Sequence, residues 1–160
     1  MTARYLTVTE QLQLVVISLA ITYLRMIRGT WSVLERYRLA QILIIDDDPL
    51  VGDILARLLK AKGHEAQSVT DPKEGVNRIN EQDFDLAIVD IFMPQKSGLE
   101  IIQEVSRSKP AVKLLAMTAF GGQDDIDMRG FAERYGAVGT FEKPFDTEVV
   151  LAKIEEALAA

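Results

Sequence analysis

The stretch QILIIDDDPL, Gln41 to Leu50, runs from four apolar residues straight onto three carboxylates, Asp46, Asp47 and Asp48. Two unit charges about 4 Å apart, at an effective dielectric near 20, repel by roughly 4 kcal/mol. No basic residue stands in the next few positions. The cluster is therefore either a solvated turn or the seat of a cation. Similar apolar runs precede three more polar residues: Asp90 after LAIV, Thr118 after LLAM, and Lys143 just beyond AVGTF. Asp46, Asp47 and Asp90 together supply three negative charges, which a bound Mg²⁺ and the Lys143 ammonium would balance. Mg²⁺ takes oxygen ligands and keeps several waters, so a few carboxylates and one carbonyl suffice. Asp48 has a separate task, capping a helix opened by Pro49. Taken singly, each residue has a plainer reading: an acidic turn, a helix cap, a strand-end hydroxyl, a surface lysine. The constellation is what makes a site.

The elements that would position these residues follow from hydrophobic period and turn chemistry. QILII reads as a buried strand. Leu50, Ile54, Leu55, Leu58 and Leu59 form an apolar stripe at helical spacing, ended by Gly63. HEAQSV is a second strand. Asp71-Pro72 opens the next helix, with Glu74 spaced for a capping box. Asp85 to Val89 is a third strand. Ser97 and Glu100 repeat the capping-box spacing before a helix to about Ser106, and Gly98 is expected to serve a turn of positive φ. VKLLAM is a fourth strand, Asp124 to Tyr135 a helix, AVGTF a fifth strand, and DTEVVLAKIEEALAA a closing amphipathic helix. Five alternations of short buried strand and helix predict an α/β fold, a doubly wound parallel sheet covered on both faces. Ligands of such sheets bind outside the C-terminal strand ends, where the polar residues gather.

Composition narrows the function classes. The chain has 160 residues, a net charge of −6, no cysteine and one histidine, His64. Thiolate chemistry, disulfides and multi-histidine metal sites are excluded, and the acidic balance argues against nonspecific nucleic-acid binding. His64 lies in a KGHEA turn and reads as a solvated turn residue. Residues 1–40 carry about +3 and residues 41–160 about −9, and all five prolines fall in the second part. A boundary is therefore expected near Leu39–Gln41, with an N-terminal extension over 1–40 and a domain over 41–160. The extension holds a charge-free run, Gln11 to Leu24, followed by Arg25 and Arg28. A spanning helix needs about 20 apolar residues, more than this run offers. It reads as a helix packing on the domain or on a second copy in a homodimer, as a membrane contact through residues 11–28, or as sequence upstream of a start near Ala40.

The pieces IIDDDP, LAIVDIFMPQKSG, LLAMTAF and FEKPF, in that order, resemble the response-regulator receiver domain of two-component phosphorelays. The resemblance covers about Gln41 to Ala160. It implies a flavodoxin-like (βα)5 fold with strand order 2-1-3-4-5. It also implies a phosphoacceptor at Asp90 and Mg²⁺ held by Asp46, Asp47, Asp90 and the Phe92 carbonyl. Thr118 would bond a phosphoryl oxygen, and Lys143, before a cis proline bond, would pair with the phosphoryl group. The implied donor is a phosphohistidine on a sensor histidine kinase or a histidine phosphotransfer protein, and the implied location is cytoplasmic. The implied role is a switch rather than a turnover enzyme. No output module follows in the sequence, so a stand-alone receiver signalling to a downstream protein is expected.

The pattern departs from the family at one position. Receivers commonly carry an aromatic residue three before the lysine; here that position is Thr140, and strand alternation points Phe141 to the other face. Phe92 and Phe120 would flank the phosphoryl group, and Gly121-Gly122 would loosen the loop after Thr118. A competing class is a phosphohydrolase of the haloacid-dehalogenase type, whose D-x-D opening the DDD run satisfies. Leu50 stands where that motif requires Thr. A receiver-like binding module that is never phosphorylated is a further alternative.

Overall fold

The structure, a computed structural model, describes residues 39–119 and 128–160. Within them strands and helices alternate: β1 (Gln41–Ile45), α1 (Pro49–Ala61), β2 (Glu65–Val69), α2 (Pro72–Glu81), β3 (Leu86–Asp90), α3 (Gly98–Ser108), β4 (Lys113–Ala119), α4 (Met128–Tyr135), β5 (Gly139–Lys143) and α5 (Thr147–Ala159). The strands pair in parallel in the order β2-β1-β3-β4-β5. The doubly wound parallel sheet expected from the sequence, in the order the resemblance implies, is therefore the one observed. The readings of residues 1–38, including the run at 11–28, lie outside the described residues.

The sheet is apolar on both faces because helices cover both. Side chains alternate across a strand, so Leu43, Ile45, Ala87, Val89, Leu114 and Ala116 pack with Val76 and Ile79 of α2, Ile101, Ile102 and Val105 of α3 and Ala132 of α4. On the other face Ile42, Ile44, Leu86, Ile88, Leu115 and Met117 meet Leu55 and Leu59 of α1 and Val150 and Ile154 of α5. β3 is buried throughout and β1 from Ile42 on, which is why their sequence runs are continuously apolar rather than alternating.

Helix starts follow the capping chemistry, with one exception. Asp48, Asp71 and Asp146 each cap a helix through the side chain, with proline next in the first two. Ser97 and Glu100 form a reciprocal capping box on α3. The expected box at Asp71 is only half made. Asp71 accepts from the Lys73 and Glu74 amides. The Glu74 carboxylate instead pairs with Arg78 one turn on, at 2.6 Å, and Arg78 also reaches Gln67 on β2.

Other boundaries and faces also differ from expectation. The α1 stripe is narrower than the leucine and isoleucine spacing suggests: Gly52, Leu55, Ala56 and Leu59 face the core, whereas Leu50 and Ile54 are exposed. β3 extends one residue further and ends on Asp90 itself, and β5 begins two residues later, at Gly139. The predicted start of the fourth helix at Asp124 lies outside the described residues, as do Phe120 and Gly121-Gly122. His64 is less free than a solvated turn residue, because its Nδ1 accepts from the Ala40 amide at 3.3 Å.

Gly98 is the clearest correction. Among the described glycines only Gly63 and Gly136 have positive φ. Gly98 is the first residue of α3, and it is required for space. A Cβ built there overlaps the Asp90 carbonyl oxygen and lies 2.7 Å from the Asp90 carbonyl carbon and 2.8 Å from Ile91 Cα.

Candidate functional site

Five of the expected residues come to one edge of the sheet. Asp46 directly follows β1, Asp90 closes β3, Thr118 is the penultimate residue of β4 and Lys143 closes β5. Parallel pairing in register makes this convergence obligatory: Asp90 lies opposite Met117, one residue short of Thr118, and Ala119 lies opposite Lys143. Asp47, next in the chain, joins them from the loop into α1.

The carboxylates are close and unequally buried. Asp46, Asp47 and Asp90 each offer an oxygen within 4.8 Å of the others; Asp46 and Asp90 are buried and Asp47 is exposed. The Lys143 ammonium lies 2.7 Å from Asp46 Oδ2 and 2.8 Å from Asp90 Oδ2. It donates a hydrogen bond to Asp90. Toward Asp46 Oδ2 it stands at ion-pair distance, and that buried oxygen has only this shared ammonium beside it. The remaining oxygens are held by backbone amides: Asp48 N–H on Asp46 Oδ1 at 2.9 Å and Phe92 N–H on Asp90 Oδ1 at 3.2 Å. The Lys143–Pro144 peptide bond is cis, as the resemblance implied.

Burial and charge set the protonation balance. Burial pushes the Asp46 carboxyl above the ordinary carboxylate range; Lys143 and the Asp48 amide pull it back only in part. Burial alone would lower the Lys143 ammonium, but the Asp46 and Asp90 carboxylates outweigh it and raise it. The cluster holds more negative charge than one lysine neutralises.

That imbalance fits a divalent cation. Asp46 Oδ2 is buried with only the ammonium it shares with Asp90 beside it, the Asp47 carboxylate makes no hydrogen bond or ion pair with another described residue, and the donor atoms are hard oxygens. The Phe92 amide turns toward Asp90, while the residue as a whole is 53% exposed on the loop that follows. Thr118 is buried and is not bonded to the carboxylates. Thr140 is buried opposite Ala116, beside a cleft of about 200 Å³ that Arg129, Glu133 and Lys153 also line. Phe141 packs into the α1/α5 side and meets Phe145 edge-on at 5.6 Å. The expected division of these two neighbours between faces is therefore observed.

The family described as the response regulator receiver domain matches residues 42–155. The chain belongs to this family. Its relatives include the transcriptional regulatory protein RprY of Bacteroides fragilis, 32% identical over 118 residues, which are 74% of this chain and 49% of RprY. ZraR of Escherichia coli K12 is 30% identical over 118 residues, 74% of this chain and 26% of ZraR. The receiver domain thus spans about half the length of the first relative and about a quarter of the second. Among solved structures, a CheY-like receiver domain from Methanospirillum hungatei JF-1 is 29% identical with a TM-score of 0.70, over 76% of this chain and 95% of that one. Receiver domains of this family act in two-component signalling and bind Mg²⁺ at an acidic pocket, and an acidic cluster is present here. No helix among the described residues is long and apolar enough to cross a membrane.

Proposed function

We propose that this receiver domain accepts a phosphoryl group on Asp90 from a phosphohistidine of a sensor histidine kinase or histidine phosphotransfer protein. The supporting observation is the Asp90 carboxylate, at the C-terminal edge of the sheet, held between the Lys143 ammonium and the Asp46/Asp47 pair. Aspartate is a competent nucleophile toward phosphorus. The oxygen–phosphorus bond forms at Asp90 as the phosphorus–nitrogen bond breaks, and the donor imidazole leaves with that electron pair. Transfer of this kind depends on positioning and charge neutralisation. The Phe92 amide orients Asp90 Oδ1, and Lys143 stands where it can move from Asp90 onto a phosphoryl oxygen. Thr118 is one residue beyond Asp90's partner on β4, in reach of another oxygen of the same group. Asp46, Asp47, Asp90 and the Phe92 carbonyl would hold Mg²⁺, which supplies positive charge to the phosphoryl oxygens when bound.

In this reading the domain works as a switch. The signal leaves by protein contact, through the surface of α4, β5 and α5, and without turnover. The test is incubation with Mg²⁺ and acetyl phosphate, alongside a chromogenic phosphate ester. Stoichiometric labelling with no ester turnover is the expected result. Continuous ester hydrolysis would select the phosphohydrolase reading, which family membership already disfavours.

The phosphoryl group should be long-lived. Phe92, two residues after Asp90, presents a ring at the rim that cannot orient an attacking water. Phe120, two after Thr118, offers the same side-chain chemistry. Replacing them together, Phe92→Asn with Phe120→Glu, is expected to speed loss of the label several-fold in a decay assay. An unchanged decay rate would refute a role for these rings.

A further inference from the structure

We infer that the N-terminus of α3 is a clamp that positions the acceptor carboxylate, with Gly98 as its seat. This rests on the reading of Asp90 as the phosphoacceptor. The loop from Ile91 to Ser97 leaves β3 and returns to it. At its base the Gly98 amide donates to the Ile91 carbonyl at 3.0 Å. The Ser97 hydroxyl spans 3.5 Å to that carbonyl and accepts from the Leu99 amide at 3.3 Å. Gly98 Cα then lies directly against the Asp90 peptide, so close that a Cβ would overlap its carbonyl oxygen.

On its other side the same backbone is fixed by β4. Asp90 pairs with Met117, and the Ile91 amide donates to the Met117 carbonyl at 2.9 Å. The Asp90 peptide is thus pinned between β4 and Gly98 and cannot rotate without opening one of the two contacts. The side chain is oriented from the same stretch of backbone, because Oδ1 is met by Phe92 N–H at 3.2 Å, while Oδ2 is met from β5 by Lys143 at 2.8 Å. The Phe92 carbonyl, a candidate metal ligand, belongs to the same closed loop. A methyl group at position 98 would therefore disturb acceptor and ligand together. Gly98 is a positioning residue that touches neither substrate nor metal.

A methyl group there also strains the fold, so a matched control is needed. In Gly136→Ala the new Cβ would lie 2.6 Å from Ser106 Cβ, at the opposite edge of the sheet and with φ at +113°. The unsubstituted chain, Gly98→Ala, Gly136→Ala and the milder Ser97→Ala are compared below all melting temperatures. Two readouts apply: the rate constant of Mg²⁺-dependent labelling by acetyl phosphate, and the chemical shift and hydrogen exchange of the Phe92 amide. Gly98→Ala should label more than threefold slower than Gly136→Ala, with the Phe92 amide shifted and less protected in Gly98→Ala alone. Ser97→Ala should show the same two changes to a smaller extent, and it carries the test if Gly98→Ala does not fold. Labelling within threefold of Gly136→Ala, or an unmoved Phe92 amide, overturns the clamp. If the wild type is not labelled at all, the phosphoacceptor reading fails and the Phe92 amide alone decides whether α3 holds the Asp90 backbone.

Discussion

Lys143→Ala should cost about 3 kcal/mol of stability at pH 8 and should nearly abolish labelling. The ammonium is the cation that two buried carboxylates share, at 2.7 and 2.8 Å. Removing one partner of a buried ion pair leaves an uncompensated charge, a loss of about 3–5 kcal/mol. The lower end applies because the Lys143 side chain is one-fifth exposed. The loss should shrink toward pH 5, since without the lysine one carboxylate can take a proton in place of the ammonium. The wild type already leans the same way. Asp46 holds its proton more readily in the fold than in the unfolded chain. Its contribution is therefore fully present below the ordinary value of 3.8 and is lost as pH rises through its raised folded value. Lys143 is also raised, so its contribution is present below 10.5 and is lost as pH rises through its own folded value. Urea denaturation of wild type and variant at pH 5 and pH 8 checks this. Equal stabilities at pH 8 would mean that the ammonium does not balance the cluster.

The gathering of the candidate site residues was legible in the sequence because parallel strands convert linear order into a shared edge. Asp46, Asp90, Thr118 and Lys143 each end, or nearly end, an apolar run, and the sheet brings those ends together. Asp48 as cap and Ser97 with Glu100 as capping box are local features, set by residues within four positions of one another. The misses depend on neighbours that the sequence does not show. Helical spacing marks Leu50 and Ile54 as apolar but not whether another element covers them, and among the described residues none does. Glu74 has the right spacing for a capping box and a better partner in Arg78. Gly98 reads as a turn glycine, whereas its cause is a contact with a residue eight positions earlier, set by how the loop returns. The start of β5 could not be read from AVGTF, because Ala137 is drawn back to the Ala132 carbonyl before the ladder begins.

Asp90→Asn is expected to remove the phosphoryl adduct completely. An amide lacks the anionic oxygen that forms the bond to phosphorus, while its size and its place between Phe92 N–H and Lys143 are nearly kept. The variant should remain folded, since the Lys143–Asp46 pair survives and one of two crowded carboxylates is gone. Loss of labelling would then be a chemical effect and not a structural one, which circular dichroism of the same samples verifies. Asp46 and Asp47 variants should instead lose the Mg²⁺ dependence and label slowly, because they remove candidate metal ligands but not the nucleophile.

The most direct measurement is intact mass spectrometry with peptide mapping after incubation with acetyl phosphate, with and without Mg²⁺, on wild type and Asp90→Asn. The expected result is a single phosphoryl group on the peptide containing Asp90, formed only with Mg²⁺ and absent from the variant. An adduct that persists in Asp90→Asn, maps to another peptide or forms equally well without Mg²⁺ would contradict Asp90 as the metal-dependent phosphoacceptor.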